Sequence, residues 1–269
     1  MKYGWCAPLK DADLIKQAGF DYIEYPLAAQ GLEDRDTFAA SKKAIAALPL
    51  PAAACNYFMP QDMRVVGPDI DTGRVKNYLA RASELMNSAG TQSCVFGSGW
   101  SRNIHEGWAR DRAEAQFLET LDWCADALRG TSVTLVIEPL NRKESNLINS
   151  VAEGARFARL VNRPEIRVLA DFFHMDEESE PFDTLVEHRE WLAHVHLADT
   201  GRKNPGTGSY PYDRFFAALR EAGYDRLMSC ECSVDDRSTG LQHSANFLRQ
   251  RWSEQAASRP AVRRETARP

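Results

Sequence analysis

Hydrophobic and polar positions alternate between two periods along the whole chain. Short apolar runs, as expected for buried parallel strands, are each followed by a longer segment with helical spacing. The predicted strands are Tyr3–Cys6, Tyr22–Tyr25, Ala52–Asn56, Ser93–Phe96, Val133–Glu138, Arg167–Asp171, Leu192–Leu197 and Arg226–Glu231. The predicted helices are Asp11–Ala18, Asp36–Ala47, Thr72–Asn87, Ala109–Leu128, Val151–Leu160, Phe182–Arg189, Pro211–Ala222 and Gly240–Trp252.

These segments form eight strand–helix units with no break in composition between them. Regular alternation of this kind predicts a parallel sheet, and eight units in about 250 residues predict an α/β protein with a single closed (β/α)8 barrel. An open doubly wound sheet is the structural alternative, but no Gly-x-Gly-x-x-Gly motif follows the first strand. We expect one barrel domain over residues 1–252 and a polar, flexible tail over residues 253–269.

Composition and charge narrow the classes of protein to consider. The net charge of −5 argues against a nucleic-acid-binding protein, which would normally carry a basic stripe. No apolar stretch approaches the roughly 20 residues that span a bilayer. The six cysteines are scattered without Cys-x-x-Cys spacing, which is typical of reduced thiols in a cytoplasmic protein. The sequence thus predicts a cytoplasmic protein that binds neither nucleic acid nor membrane.

Candidate metal ligands stand at the ends of four consecutive predicted strands. The fifth strand ends in Glu138, the sixth in Asp171 and the eighth in Glu231, and the seventh carries His194 and His196. The carboxyl ends of barrel strands meet at one rim, where such barrels place their active sites. One carboxylate there is explained by an ion pair, but four successive strand ends predict a metal site.

The composition of this ligand set restricts the ion. Three carboxylates and one imidazole suit Mn²⁺, Mg²⁺ or Co²⁺, with Zn²⁺ a less natural alternative in the absence of thiolate ligands. The shell would carry net negative charge, so we expect a nearby cation, Arg142 or Arg202, to help hold the substrate. No motif for an organic cofactor is present.

Four segments also carry a family resemblance. The stretches Ile137–Glu144 (IEPLNRKE), Ala170–Met175 (ADFFHM) and His194–Arg202 (HVHLADTGR), with the Glu231 strand, resemble the xylose-isomerase-like TIM-barrel superfamily, in particular its D-tagatose and D-psicose 3-epimerases. The resemblance covers strands five to eight closely. In the earlier half of the chain it is limited to the alternation of strands and helices. A DNA-repair endonuclease with the same barrel fold needs histidines at the ends of the third and fourth strands. This chain has Asn56 and Phe96–Ser98 there, which argues against DNA repair.

The resemblance implies roles for individual residues. It implies that one divalent ion, Mn²⁺ by expectation, is bound by Glu138, Asp171, His196 and Glu231. It implies that substrate oxygens are held by Glu144, His174 and Arg202. It also implies a homo-oligomer, a dimer or a tetramer, and a small-molecule sugar or polyol ketone as the substrate.

The predicted activity is that of a metal-dependent sugar isomerase or epimerase. Glu138 and Glu231 would remove and return a proton on opposite faces of an enediolate that the ion stabilises. The alternative is a lyase or dehydratase on a keto-sugar or inosose, including elimination from a 3-keto-glycoside, because the first proton abstraction is the same. A non-catalytic, ligand-sensing barrel is a third hypothesis.

Other candidates have a plainer interpretation. We expect Glu24 to form a salt bridge on the rim, and His194 to line the barrel beside a ligand rather than to be one. The segment Pro205–Gly208 is predicted to be a simple turn, although loops after the seventh strand can bind phosphate. Three aromatic residues are candidates for the wall of a sugar pocket: Trp5, Trp100 and Trp108.

Overall fold

Eight parallel strands close into a barrel in the computed structural model, which describes residues 1–257 and the side chains of residues 1–254. The strands are β1 (Lys2–Cys6), β2 (Tyr22–Pro26), β3 (Ala54–Asn56), β4 (Ser93–Phe96), β5 (Thr134–Ile137), β6 (Ile166–Asp171), β7 (Leu192–Leu197) and β8 (Leu227–Cys230). Each pairs with its neighbour in chain order, and β1 closes the circle by pairing with β8. The predicted (β/α)8 barrel is confirmed.

Helices surround this barrel. They are α1 (Ala12–Gln17), α2 (Arg35–Ala46), α3 (Thr72–Ala89), α4 (Gly99–Arg102), α5 (Arg110–Leu128), α6 (Val151–Val161), α7 (Phe172–Glu177), α8 (Asp183–Glu187), α9 (Tyr212–Glu221) and α10 (Arg237–Ala257). The sequence did not predict α4 and α7, because helices this short show no full hydrophobic period. No helix within residues 1–257 is long and apolar enough to cross a membrane.

The chain end differs from the prediction. Helix α10 continues to Ala257, so the first residues of the expected flexible tail are helical. The rest of that predicted tail, residues 258–269, lies outside the described residues.

Apolar side chains fill both sides of the strands. The main core packs helices against the outside of the barrel, with Phe117, Phe157 and Phe215 almost fully buried. A smaller cluster that includes Val136 and Leu169 is separate from this core. Because side chains alternate along a strand, these two share a face with Glu138 and Asp171, two residues further on. The strand ends therefore place both carboxylates on the inner face of the barrel.

The inside of the barrel is also filled by Tyr22. Its hydroxyl lies 2.7 Å from Ser229 Oγ, and its ring occupies the space beside Gly4, where a Cβ atom would overlap it. Gly4 and Tyr22 are paired across β1 and β2. A glycine at position 4 is thus required by close packing rather than by backbone conformation.

We expect Gly4→Ala to destabilise the fold by about 1–3 kcal/mol, the usual cost of overpacking a filled interior. Urea unfolding followed by circular dichroism measures this. The control is Gly73→Ala in α3, where the nearest atom to an added Cβ is Asp71 Oδ1 at 3.5 Å. That change should be neutral or stabilising by up to about 1 kcal/mol, and equal losses in the two variants would contradict the packing argument.

Candidate active site

Four of the predicted ligands converge at the carboxyl ends of the strands. One donor atom from each of four side chains lies within 4.8 Å of the others, and we call this group the ligand cluster: Glu138, Asp171, His196 and Glu231. His196 Nδ1 lies 3.1 Å from Glu138 Oε1, 3.6 Å from Asp171 Oδ2 and 3.7 Å from Glu231 Oε2. Of the two histidines on β7, the geometry brings His196 to the carboxylates, the one that the resemblance implied as a ligand.

Local structure explains why each acid stands where it does. Glu138 follows the last residue of β5 and precedes Pro139, which has no N–H to continue a ladder. Asp171 ends β6 and caps α7, since its Oδ1 accepts a hydrogen bond from His174 N at 3.0 Å. Glu231 follows β8, and its backbone N–H donates to Leu197 O at 3.0 Å.

The ligand cluster fits a divalent cation by its donor chemistry. Buried carboxylates this close repel one another unless protons or a cation lie between them. Burial and the charge of Glu231 raise the pKa of Glu138 accordingly. Space for the Glu138 carboxylate comes from Gly97, where a Cβ atom would overlap Glu138 Oε2. Carboxylate oxygens with one imidazole nitrogen suit Mn²⁺, Mg²⁺ or Co²⁺.

Glu24 lies inside the barrel, so the prediction of a salt bridge on the rim is wrong. Its side chain has no exposed surface, and its two oxygens lie 2.8 Å from His196 Nε2 and 2.9 Å from His194 Nε2. Parity along β2 puts Glu24 on the same face as Tyr22, which fills the barrel. The parity of β2 could have indicated that Glu24 faces the inside of the barrel. The sequence alone does not show which strand lies opposite β2. His194 lines the barrel as predicted, with no exposed surface.

The contact between Glu24 and His196 decides the charge of this pair. Burial opposes the charged form of His196, but Glu24 and Glu231 outweigh it and hold its pKa well above the usual value. Burial likewise opposes ionisation of Glu24, but His196 and His194 outweigh it and lower its pKa. Glu24 and His196 thus stabilise each other's charged form.

The predicted substrate residues lie around the ligand cluster in different ways. Arg202 Nη1 lies 3.2 Å from Glu144 Oε1, and its Nη2 donates to Glu231 Oε2. His174 is buried beside Asp171, and its Nδ1 accepts from the backbone N–H of Asn141 at 3.2 Å. The proton of a neutral His174 therefore lies on Nε2, which is buried and has no hydrogen-bond partner within the described part of the chain.

A cavity of about 640 Å³ opens over the site, within the usual size range of small-molecule pockets. Four of the predicted site residues line it: Glu138, Glu144, Arg202 and Glu231. Trp100 lines the cavity too, and its ring stacks on Tyr57 with the centroids 5.9 Å apart. Trp5 belongs to the core, and Trp108 Nε1 donates to Gln116 Oε1.

Arg102 is a buried residue of the site that sequence reasoning missed. It has no exposed surface, and its guanidinium donates to three backbone carbonyls, those of Gly97 and Glu138 at 2.7 Å and that of Leu147. Burial lowers its pKa to about 10, against the opposing charge of Glu138. It thus remains charged and fixes the backbone of Glu138, but its four-residue helix gave no signal in the sequence.

The segment Pro205–Gly208 forms a turn, as predicted. The buried carboxylate of Asp199 accepts hydrogen bonds from the backbone N–H of Thr200, Gly206 and Tyr210, at 2.8, 3.0 and 3.1 Å. These amides would be the natural partners of a phosphate. They already have a fixed anion within the chain, which supports the turn over a phosphate site.

Fold and site together define a closed (β/α)8 barrel with an acidic, histidine-containing cluster at the carboxyl ends of β5 to β8. The chain matches the family described as xylose isomerase-like TIM barrel over residues 12–251. It belongs to that family.

Individual relatives agree with this assignment. The chain is 29% identical to a ketose 3-epimerase of Arthrobacter globiformis over 214 residues, 78% of this chain and 72% of the relative. It is 31% identical to a D-psicose 3-epimerase of Agrobacterium fabrum over 145 residues, about half of each chain (51% and 50%). The crystal structure of D-allulose 3-epimerase from Methylomonas sp. in complex with D-allulose has a TM-score of 0.80 at 22% identity, covering 93% of this chain and 97% of that chain. The chain is an enzyme of the isomerase and epimerase class.

We expect cation binding to release protons, because ion and proton compete for His196 Nδ1 and for the Glu138 carboxylate, whose pKa values are both raised. Calorimetric titration with Mn²⁺ at pH 7, in two buffers of different ionisation heat, should show release of about one proton per ion or more. The apparent affinity should fall as the pH falls.

The matched variants for this titration are two histidine-to-glutamine changes. His196→Gln should weaken Mn²⁺ binding at least about tenfold, whereas His243→Gln, on the exposed surface of α10, should leave it unchanged. Binding that releases no proton and is the same at pH 5 and pH 8 would contradict this assignment.

Proposed function

We propose that this enzyme is a metal-dependent ketose epimerase that inverts the carbon next to the carbonyl group. The observation that carries the proposal is the convergence of the ligand cluster, two of whose members, Glu138 and Glu231, line the cavity. The names of the relatives, a ketose 3-epimerase and a D-psicose 3-epimerase, support a ketose as the substrate.

The ion would be held by the ligand cluster, and Mn²⁺ is the expected species. When bound, a divalent cation supplies Lewis-acid stabilisation of negative charge on the substrate oxygen, an effect of several kcal/mol. The protein itself contributes a fixed set of donor atoms. The Asp171 carboxylate accepts a hydrogen bond from the backbone of α7, and the backbone carbonyl of Glu138 accepts one from Arg102.

Glu138 and Glu231 are the groups that move the proton. They directly follow different strands, β5 and β8, and both line the cavity, so a planar intermediate can lie between them. One carboxylate removes the proton and the other returns one to the opposite face, which inverts the carbon. Glu231 is oriented by two donors, Asn56 Nδ2 at 3.1 Å and Arg202 Nη2.

Three residues are suited to hold the sugar hydroxyls. Arg202 supplies charged donors at the cavity wall, and Glu144 beside it supplies acceptors. His174 presents an Nε2–H that has no partner within the described residues. A buried donor without a partner is costly, and a substrate oxygen would remove that cost.

Incubation of a ketose panel with the enzyme and Mn²⁺ in deuterated water tests the reaction. We expect one deuterium at the inverted carbon of the product, because the returned proton comes from a carboxyl group that exchanges with solvent. Proton NMR and mass spectrometry measure the label. Loss of water from the sugar, or release of an enol product without epimer, would instead select the lyase alternative.

Glu138→Gln and Glu231→Gln should each lower the rate of epimerisation by at least about 100-fold at saturating Mn²⁺, because each removes one proton-transfer group. Each variant should retain hydrogen exchange on only one of the two epimers. Glu187→Gln, on the exposed surface of α8, is the control and should keep full activity. A Glu231→Gln enzyme with full metal occupancy and unchanged turnover would refute the role given to Glu231.

A further inference from the structure

The buried carboxylate of Glu24, which contacts both histidines of β7, has no role in the proposed mechanism. We infer that Glu24 is a positioning residue that orients His196 so that its Nδ1 faces the bound cation. This inference rests on the proposed metal site and deepens it. It assigns a function to a residue outside the ligand cluster.

The hydrogen bonds of Glu24 fix the orientation of the imidazole. Glu24 Oε1 lies 2.8 Å from His196 Nε2, and the other ring nitrogen, Nδ1, lies 3.1 Å from Glu138 Oε1. A carboxylate that accepts from Nε2–H leaves the lone pair of a neutral imidazole on Nδ1. Histidines that bind metals usually donate their other ring N–H to a carboxylate or a carbonyl in this way, which fixes the tautomer and raises ligand basicity.

The second oxygen of Glu24 is held in turn by His194. Its Nε2 lies 2.9 Å from Glu24 Oε2 and 3.4 Å from Ser229 Oγ, which lies 2.7 Å from the Tyr22 hydroxyl. His194 Nδ1 is buried and has no partner in the described part of the chain, which favours a neutral ring with its proton on Nε2. Both carboxylate oxygens are therefore fixed by N–H donors.

The charge of Glu24 supports a role towards the cation. A fully buried carboxylate is costly unless a positive charge compensates it. Within residues 1–254, the ion-pair partners within 4.0 Å of Glu24 are His194 and His196, and neither lysine nor arginine is among them. The negative charge is thus placed directly behind the imidazole that faces the ligand cluster.

A merely structural role predicts something different. If Glu24 only fills space and pairs with histidines, its loss lowers the stability of the fold and leaves metal affinity unchanged. Glutamine separates the two roles, because it has nearly the same shape and still accepts one N–H, but it carries no charge. The readouts are therefore metal affinity and the His196 tautomer rather than activity.

We expect Glu24→Gln to weaken Mn²⁺ binding about 10- to 100-fold, measured by calorimetry. In ¹⁵N-histidine NMR with diamagnetic Mg²⁺, the variant should show a lower population of the Nε2–H tautomer of His196 at the same Mg²⁺ concentration. The matched control is Glu180→Gln, since Glu180 accepts from the Val151 N–H at 2.9 Å and lies outside the site. Its Mn²⁺ affinity should equal that of the unsubstituted enzyme.

A second variant covers the case in which Glu24→Gln does not fold. His194→Gln keeps the contact between Glu24 and His196 but alters the group that holds the other oxygen, and it should weaken Mn²⁺ binding about two- to tenfold. Unchanged Mn²⁺ affinity in both variants, or in His194→Gln alone if the other does not fold, would overturn the positioning role and leave the proposed function intact. Failure of the unsubstituted enzyme to bind Mn²⁺ or Mg²⁺ would overturn the metal site itself, and this inference with it.

Discussion

Repulsion between carboxylates is the constraint on which the rest of the site depends. Glu138 and Asp171 are almost fully buried, and they approach Glu231 at one end of the barrel. Charges of like sign in such a place cost several kcal/mol each unless they are compensated. The surrounding structure can be understood as a set of positive charges and N–H donors arranged so that these acids remain close together.

These compensating groups differ in how far they lie from solvent. Arg202 is partly exposed at the wall of the cavity and contacts Glu231 and Glu144. Arg102 is fully buried, yet it binds carbonyls rather than carboxylates. It therefore adds positive charge beside Glu138 without occupying the oxygens that a cation would use. On the interior side, His196 joins the ligand cluster to Glu24.

The part of the site on β5 to β8 was predictable because each proposed ligand stands at or near the end of its own strand. Strand ends and side-chain parity are local properties, and they place Glu138, Asp171 and Glu231 on one rim whatever the details of the loops. The choice of His196 over His194 required the family resemblance. The fold was predictable for the same local reason. The alternation of eight strand-like and helix-like segments is a local property, because it depends only on residues that are close in sequence.

The residues that were missed depend on contacts that are distant in sequence. Glu24 and His196 are separated by 172 positions, and their strands are not paired in the sheet, so only the closed barrel brings them together. Arg102 lies on a four-residue helix and binds backbone atoms, which leave no pattern of side chains to detect. The exposure of individual side chains could not be predicted from the sequence either. It distinguishes Trp100, which lines the cavity, from Trp5, which is buried in the core.

The ligand cluster does not by itself separate an epimerase from a lyase, because both begin by removing a proton next to a carbonyl. The difference lies in what faces the second side of the intermediate. Epimerisation needs a second proton-transfer group there, and Glu231 lines the cavity with both oxygens oriented by Asn56 and Arg202. Elimination needs a donor aimed at a leaving group instead. Because Arg202 also contacts Glu144, one side chain links the proposed second proton-transfer group to a residue proposed to hold the sugar, and this link supports the proposal of inversion.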